Sequence, residues 1–142
     1  DATAEIQRDH RGNQRTDEQL WMNGPEIYGF TLTTVHEGIE QLLDRTGMAW
    51  DDVDLFLMHQ ANRFMLEKLR QRMGVAPEKM PIDMEDVGNT VSASIPILIC
   101  RCRKAGLLRP NQRCVLAGFG VGYSWAMTSI QWLAEGPTAV RS

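Results

Sequence analysis

Strand-like and helix-like segments alternate along this chain and close on two adjacent strand-like runs. That order predicts an α/β layer architecture with ligand groups in loops at strand ends. Three observations carry the prediction: a short apolar run, Leu55–Met58; a helical period that begins directly behind each of two polar turns; and a glycine-rich stretch, Gly118 to Gly122, between the last two strand-like runs.

Residues 1–20 are polar and show no period, so they read as a surface loop or a truncated start. Asn23, Gly24 and Pro25 offer a cap and a proline for a first helical position. Ile27, Phe30, Thr34, Val35, Ile39, Leu42 and Leu43 follow at helical spacing, which predicts a helix over 25–45 closed by Gly47. Leu55–Met58 lies between polar residues, as a strand buried on both faces would, and His59 stands at its end. Phe64, Met65, Leu69 and Met73 then recur at steps of three and four behind Asn62, and Gly74 supplies a stop. The stretch 75–87 reads as a loop with a short extended piece. Gly88, Asn89 and Thr90 open a helix over 91–105, with Pro96 near its first turn, where a missing N–H costs little. A turn at 109–112 leads to strands over 114–119 and 123–132. The folded unit is therefore expected over 21–135, with a polar tail at 136–142.

Composition removes several classes of function. With 142 residues, 43% of them hydrophobic and 23% charged, the chain has ordinary globular usage and length enough for one real core, which disfavours disorder and coiled coil. The formal charge is only -3, and Lys and Arg are dispersed except for a short run at Arg101, Arg103 and Lys104, so nucleic acid is not an expected partner. No run of apolar residues is long enough for a membrane span, and the polar start is not a signal peptide; a cytoplasmic location is expected. Cys100, Cys102 and Cys114 are odd in number and lack metal-ligand spacing. They predict buried, reduced thiols, with no disulfide and no metal.

Three loops carry candidate chemistry. His59, in His59-Gln60-Ala61-Asn62, sits at the carboxyl end of a buried strand, where a substrate group would be met; a hydrogen-bonded structural histidine would sit there equally well. Asn89 precedes a helix and could turn a carboxamide toward the same cleft, or serve only as a cap among the small residues Ser92, Ala93 and Ser94. Gly118-Phe119-Gly120-Val121-Gly122 lets backbone approach a ligand, with N–H groups able to stabilise an oxyanion, and also suits a tight hairpin. It lacks the spacing of a dinucleotide fingerprint.

Taken in order, His59-Gln60-Ala61-Asn62, then Gly88-Asn89-Thr90-Val91-Ser92-Ala93-Ser94-Ile95-Pro96, then Gly118-Phe119-Gly120-Val121-Gly122-Tyr123-Ser124-Trp125 resemble the C-terminal half of beta-ketoacyl-acyl-carrier-protein synthase III. Asn23-Gly24-Pro25-Glu26-Ile27-Tyr28 resembles the segment that opens the preceding helix there, so the likeness covers about 21–132. The resemblance implies the C-terminal half of a thiolase-like fold, a mixed five-stranded sheet with helices that lacks its first strand here. It implies a decarboxylative Claisen condensation in fatty acid or polyketide synthesis. An acyl group passes from acyl-CoA to a cysteine, and malonyl-acyl-carrier-protein loses carbon dioxide and attacks it. Carrier protein and coenzyme A thioesters are then substrates, and no cofactor is required.

By motif position His59 and Asn89 are the catalytic pair, while the nucleophilic cysteine belongs to an N-terminal half that the chain lacks, so this chain by itself is expected to be inactive. Gly24, Asn62, Phe119 and Val121 take substrate-binding positions. Val121 departs from the three consecutive glycines usual after the phenylalanine, and valine tolerates positive φ badly. Basic residues after the histidine dock the acidic carrier protein in that family, and Arg63, Lys68, Arg70 and Arg72 could serve so here in a different register, although a solvated helix face explains them equally. The complete protein would be a homodimer, and a bare sheet edge and apolar surface are expected on this piece. Two other readings share the fold: an acyltransferase that uses no decarboxylation, and a non-catalytic partner subunit.

Overall fold

The computed structural model describes residues 5–8, 12–16, 23–120 and 122–133. Within the polar start, β1 (Gln7–Arg8) and β2 (Gln14–Arg15) form a short exposed antiparallel ladder. The helix expected over 25–45 is present as one helical run in three parts. These are α1 (Gly24–Phe30), a π-helical turn at Thr31–Val35, and α2 (His36–Thr46), which ends at Gly47 with φ 67°. Thr31, Val35, Ile39 and Leu43, four residues apart, are its buried positions.

β3 (Leu55–Met58) runs parallel to β4 (Arg113–Gly120), with Leu55 opposite Cys114 and Met58 opposite Ala117; β5 (Ser124–Gln131) is antiparallel to β4, with Gly120 opposite Ser124. Helix α3 (Arg63–Met73) and helix α4 (Ser94–Lys104) complete the layers. All four residues of β3 are buried, and successive side chains face opposite layers. Phe56 and Met58 join Ile39, Leu43, Leu66, Leu69 and Val115 beneath α2 and α3. Leu55 and Leu57 join Cys114, Leu98 and Cys102 beneath α4. Helices thus cover both faces of β3, which is why its sequence is an unbroken apolar run rather than an alternating one. Among the described residues the mixed sheet has three strands, not five.

Three details depart from expectation. The piece of 75–87 expected to be extended forms no strand. It is a 3-10 turn at Pro77–Lys79 followed by turns whose backbone is held by side chains, Asp83 N–H donating to Gln60 Oε1 at 3.0 Å. Phe64 shares the helical spacing of α3 but faces outward and stacks on Tyr28 at 5.9 Å between ring centroids. Of the three cysteines only Cys102 and Cys114 are buried, and burial pushes each thiol up to about 11; Cys100 is exposed, two residues out of phase with the buried face of α4. No helix among the described residues is long and apolar enough to cross a membrane.

Candidate active site

His59 leaves β3 with its backbone still in register, its N–H donating to Ala117 O at 2.8 Å, so the ladder fixes where the imidazole begins. Its Nδ1 lies 2.6 Å from Ser94 Oγ, and Ser94 is itself buried in the first turn of α4. The Phe119 ring stands edge-on to the imidazole at 5.5 Å. Burial holds the His59 pKa below its ordinary value of 6.5, and a hydrogen bond with the Val91 backbone opposes part of that shift. A neutral ring at pH 7 follows.

Asn89 is fixed by a local turn, its Oδ1 accepting from Val91 N–H at 2.9 Å. With the carboxamide oxygen held there, the two Nδ2 hydrogens are the groups left to donate elsewhere. Val91 adopts φ 54°, a left-handed conformation that costs a β-branched residue about 1–3 kcal/mol. Val91 is 72% exposed and returns little by packing. Replacing Val91 by glycine is expected to raise the unfolding free energy by up to about 1 kcal/mol, after glycine's own entropy cost. A urea midpoint lower than the parent's would show that the valine is instead held by contacts worth more than the strain.

These two loops open on one cavity of about 960 Å³, which Gly24, His59, Asn62, Asn89 and Phe119 all line. Five sequence-predicted site residues therefore meet in one place. Val121, predicted beside them, lies outside the described residues. Asn62 also caps α3, its Oδ1 accepting from Met65 N–H at 2.8 Å, so the binding and capping readings of this residue coexist.

Arg63, Lys68, Arg70 and Arg72 do not line the cavity. Arg63 pairs with Glu85 at 2.7 Å, Lys68 reaches Gln71 at 3.3 Å, and Arg70 is partly buried with Nη1 donating to Val75 O at 3.2 Å. Sequence reasoning gave no role to Tyr28, Thr31 or Ser94, all of which line the cavity. Thr31 is fully buried and its hydroxyl has no hydrogen-bond partner. Thr31 falls inside the helix expected over 25–45, but Thr34 and not Thr31 was read as one of its periodic positions.

A family model described as 3-oxoacyl-[acyl-carrier-protein] synthase III C terminal matches residues 43–132. The beta-ketoacyl-[acyl-carrier-protein] synthase III of Gloeobacter violaceus is 41% identical over 113 residues, covering 80% of this chain and 34% of that protein. A crystal structure of 3-oxoacyl-(acyl-carrier-protein) synthase III superposes with a TM-score of 0.89 at 43% identity, over 92% of this chain and 39% of that one. The priming beta-ketosynthase of the R1128 polyketide biosynthetic pathway superposes at 0.74 with 28% identity, over 80% and 34%. The chain thus spans about a third of the length of the curated relatives it matches.

Proposed function

Because this chain belongs to the family of 3-oxoacyl-[acyl-carrier-protein] synthase III, matching it over the C-terminal region, we propose that it supplies the histidine and asparagine of a decarboxylative condensing enzyme. The observation that carries the reading is the meeting of His59 and Asn89 on one cavity, each with one side-chain atom already held by a neighbour. A Ser94 hydroxyl that donates to Nδ1 leaves the ring hydrogen on Nε2. Nε2–H and the Asn89 Nδ2 hydrogens are then two fixed donors for one oxygen.

The nucleophilic cysteine comes from an N-terminal half outside this chain. An acyl group moves from acyl-CoA to that thiolate, and coenzyme A leaves as its thiolate, which takes a proton from solvent. Malonyl-acyl-carrier-protein then breaks its bond to the carboxylate, carbon dioxide departs, and the electron pair is held as an enolate on the thioester oxygen, against His59 and Asn89. Its carbon attacks the acyl carbonyl, a carbon–carbon bond forms, and the cysteine thiolate is released. Gly24, Asn62, Phe119 and Val121 belong to the substrate channel in this reading, and Arg63, Lys68, Arg70 and Arg72 to the face that meets the acidic carrier protein. The folded unit is 21–135, and the complete protein is a cytoplasmic homodimer serving fatty acid or polyketide synthesis.

Product analysis with an acyl-CoA and a malonyl thioester tests this in the full-length protein. A 3-oxoacyl product with release of carbon dioxide supports condensation. Acyl transfer to an alcohol or amine, or no turnover with an intact cysteine, points to the acyltransferase or to a non-catalytic subunit. The proton placement is tested separately: 15N NMR of His59 is expected to show a neutral ring protonated on Nε2 at pH 7. Its titration midpoint is expected below 6.5, because the buried ring resists protonation. A midpoint above 6.5 would contradict the environment described.

A further inference from the structure

Of the basic run Arg101, Arg103 and Lys104 at the end of α4, Arg101 grips the loop that carries Asn89. Its Nη1 donates to Asp83 Oδ1 and to Asp86 Oδ1, and its Nη2 to Asp86 Oδ2, each at 2.7 Å. The pair with Asp86 is a two-pronged fork, the geometry that fixes orientation as well as distance. Asp83 is tied in turn to the other loop of the site: its N–H donates to Gln60 Oε1 at 3.0 Å, and Gln60 Nε2 donates to Met58 O at 2.9 Å. Gln60 is buried and lies next to His59. On the Asn89 side, Gly88 N–H donates to Met84 O at 2.8 Å, closing the turn from which Asn89 projects. Side-chain and turn hydrogen bonds therefore bridge the residues flanking His59 to the turn bearing Asn89, with Arg101 at their junction. The same helix also carries Ser94, seven residues earlier and so two turns away on the same side, against the imidazole.

The geometry points to Arg101 as a positioning residue, one that sets the spacing of the His59 and Asn89 donors by holding Asp83 and Asp86 in the segment that leads to Asn89. This rests on the condensing reading above, because the spacing matters only if both donors serve one oxygen. Its energetic signature differs from that of a stabilising ion pair. Asp86 is largely exposed, and such pairs contribute little to folding. A displacement of about 1 Å in a positioned donor, by contrast, lowers a rate by up to about a hundredfold.

The test uses the full-length synthase with Arg101→Met, Arg101→Lys, Asp86→Asn and the Arg101→Met/Asp86→Asn double variant. Acylation of the cysteine by acyl-CoA and condensation with a malonyl thioester are followed separately. Arg101→Met is expected to lower condensation kcat by about tenfold to a hundredfold, with KM for the malonyl thioester within about twofold. The acylation rate should stay at the parent value. Arg101→Lys keeps the charge without the fork and should fall between. The double variant should be no slower than the slower single, because both remove one connection. Asp86→Asn acts at an exposed carboxylate and keeps the test informative if Arg101→Met folds poorly. Condensation within about twofold of parent in both Arg101→Met and Asp86→Asn overturns the inference, as does an equal loss in acylation and condensation. His59→Ala serves as control: full condensation in that variant removes the underlying reading and this inference with it.

Discussion

Asn89→Ala in the complete synthase is expected to lower the rate of malonyl decarboxylation and condensation by about a hundredfold to a thousandfold, and His59→Ala by a similar factor. Each side chain is one of two donors to an oxygen that gains charge only as carbon dioxide leaves. Losing either removes stabilisation present in the transition state and weak in the ground state. The expected signature is a fall in kcat with KM for the malonyl thioester little changed. The double variant should be less damaged than the product of the two losses, because the donors act on one atom. Acylation of the cysteine has no such enolate, so it should survive Asn89→Ala. A variant that lost both steps equally would show that Asn89 holds up the loop and takes no part in the chemistry.

Phe56→Ala is expected to destabilise the fold by about 3–5 kcal/mol. The ring is 1% exposed in the middle of β3, stacked on Trp50 at 5.7 Å and enclosed by side chains of α2, α3 and β4. Neither parallel β4 nor the flanking helices can close on the void without moving the strand that delivers His59. That loss is a large share of the 5–15 kcal/mol by which domains are held together. Phe64→Ala is the comparison: its ring is mostly exposed, so about 1 kcal/mol or less is expected. Chemical denaturation with both variants reads the difference, and equal losses would contradict the burial described.

The architecture was legible because β3 is covered on both faces and so must be apolar throughout, and because Gly47 and Gly74 end helices in the left-handed conformation their positions suggested. That His59, Asn89 and Phe119 would meet on one cavity was legible from their three motifs taken in order, since the place of each at the end of a chain segment left a purely structural role open. What failed depended on tertiary choice. Phe64 and Cys100 sit in apolar stretches, and only packing decides that one stacks on Tyr28 and the other faces out. The loop before Asn89 looked extended because the partners that bend it, Gln60 and Arg101, lie 23 and 15 to 18 residues away. Nor does any local pattern announce that Ser94 meets His59 from 35 residues further on.

The wide turn at Thr31–Val35 has a consequence for how this chain can change. A π turn holds one residue more than the α-helical turn it replaces, and each residue turns a helix by about 100°. The extra residue is taken up within that one turn, so the stretch before it and the stretch after it keep nearly the angular relation of an unbroken helix. Gly24, Ile27 and Tyr28 belong to the first and line the cavity; Ile39 and Leu43 belong to the second and anchor the core. Removing a single residue between 31 and 35 would close the wide turn to an ordinary α-helical one and leave the two segments nearly in phase, whereas removing one from Gly24–Phe30 or His36–Thr46 would turn part of the run by about 100° against the rest. The wide turn is therefore the one place in this run where a residue can be lost with the cavity wall kept in place, while a deletion on either side of it would carry Gly24, Ile27 and Tyr28 off the channel.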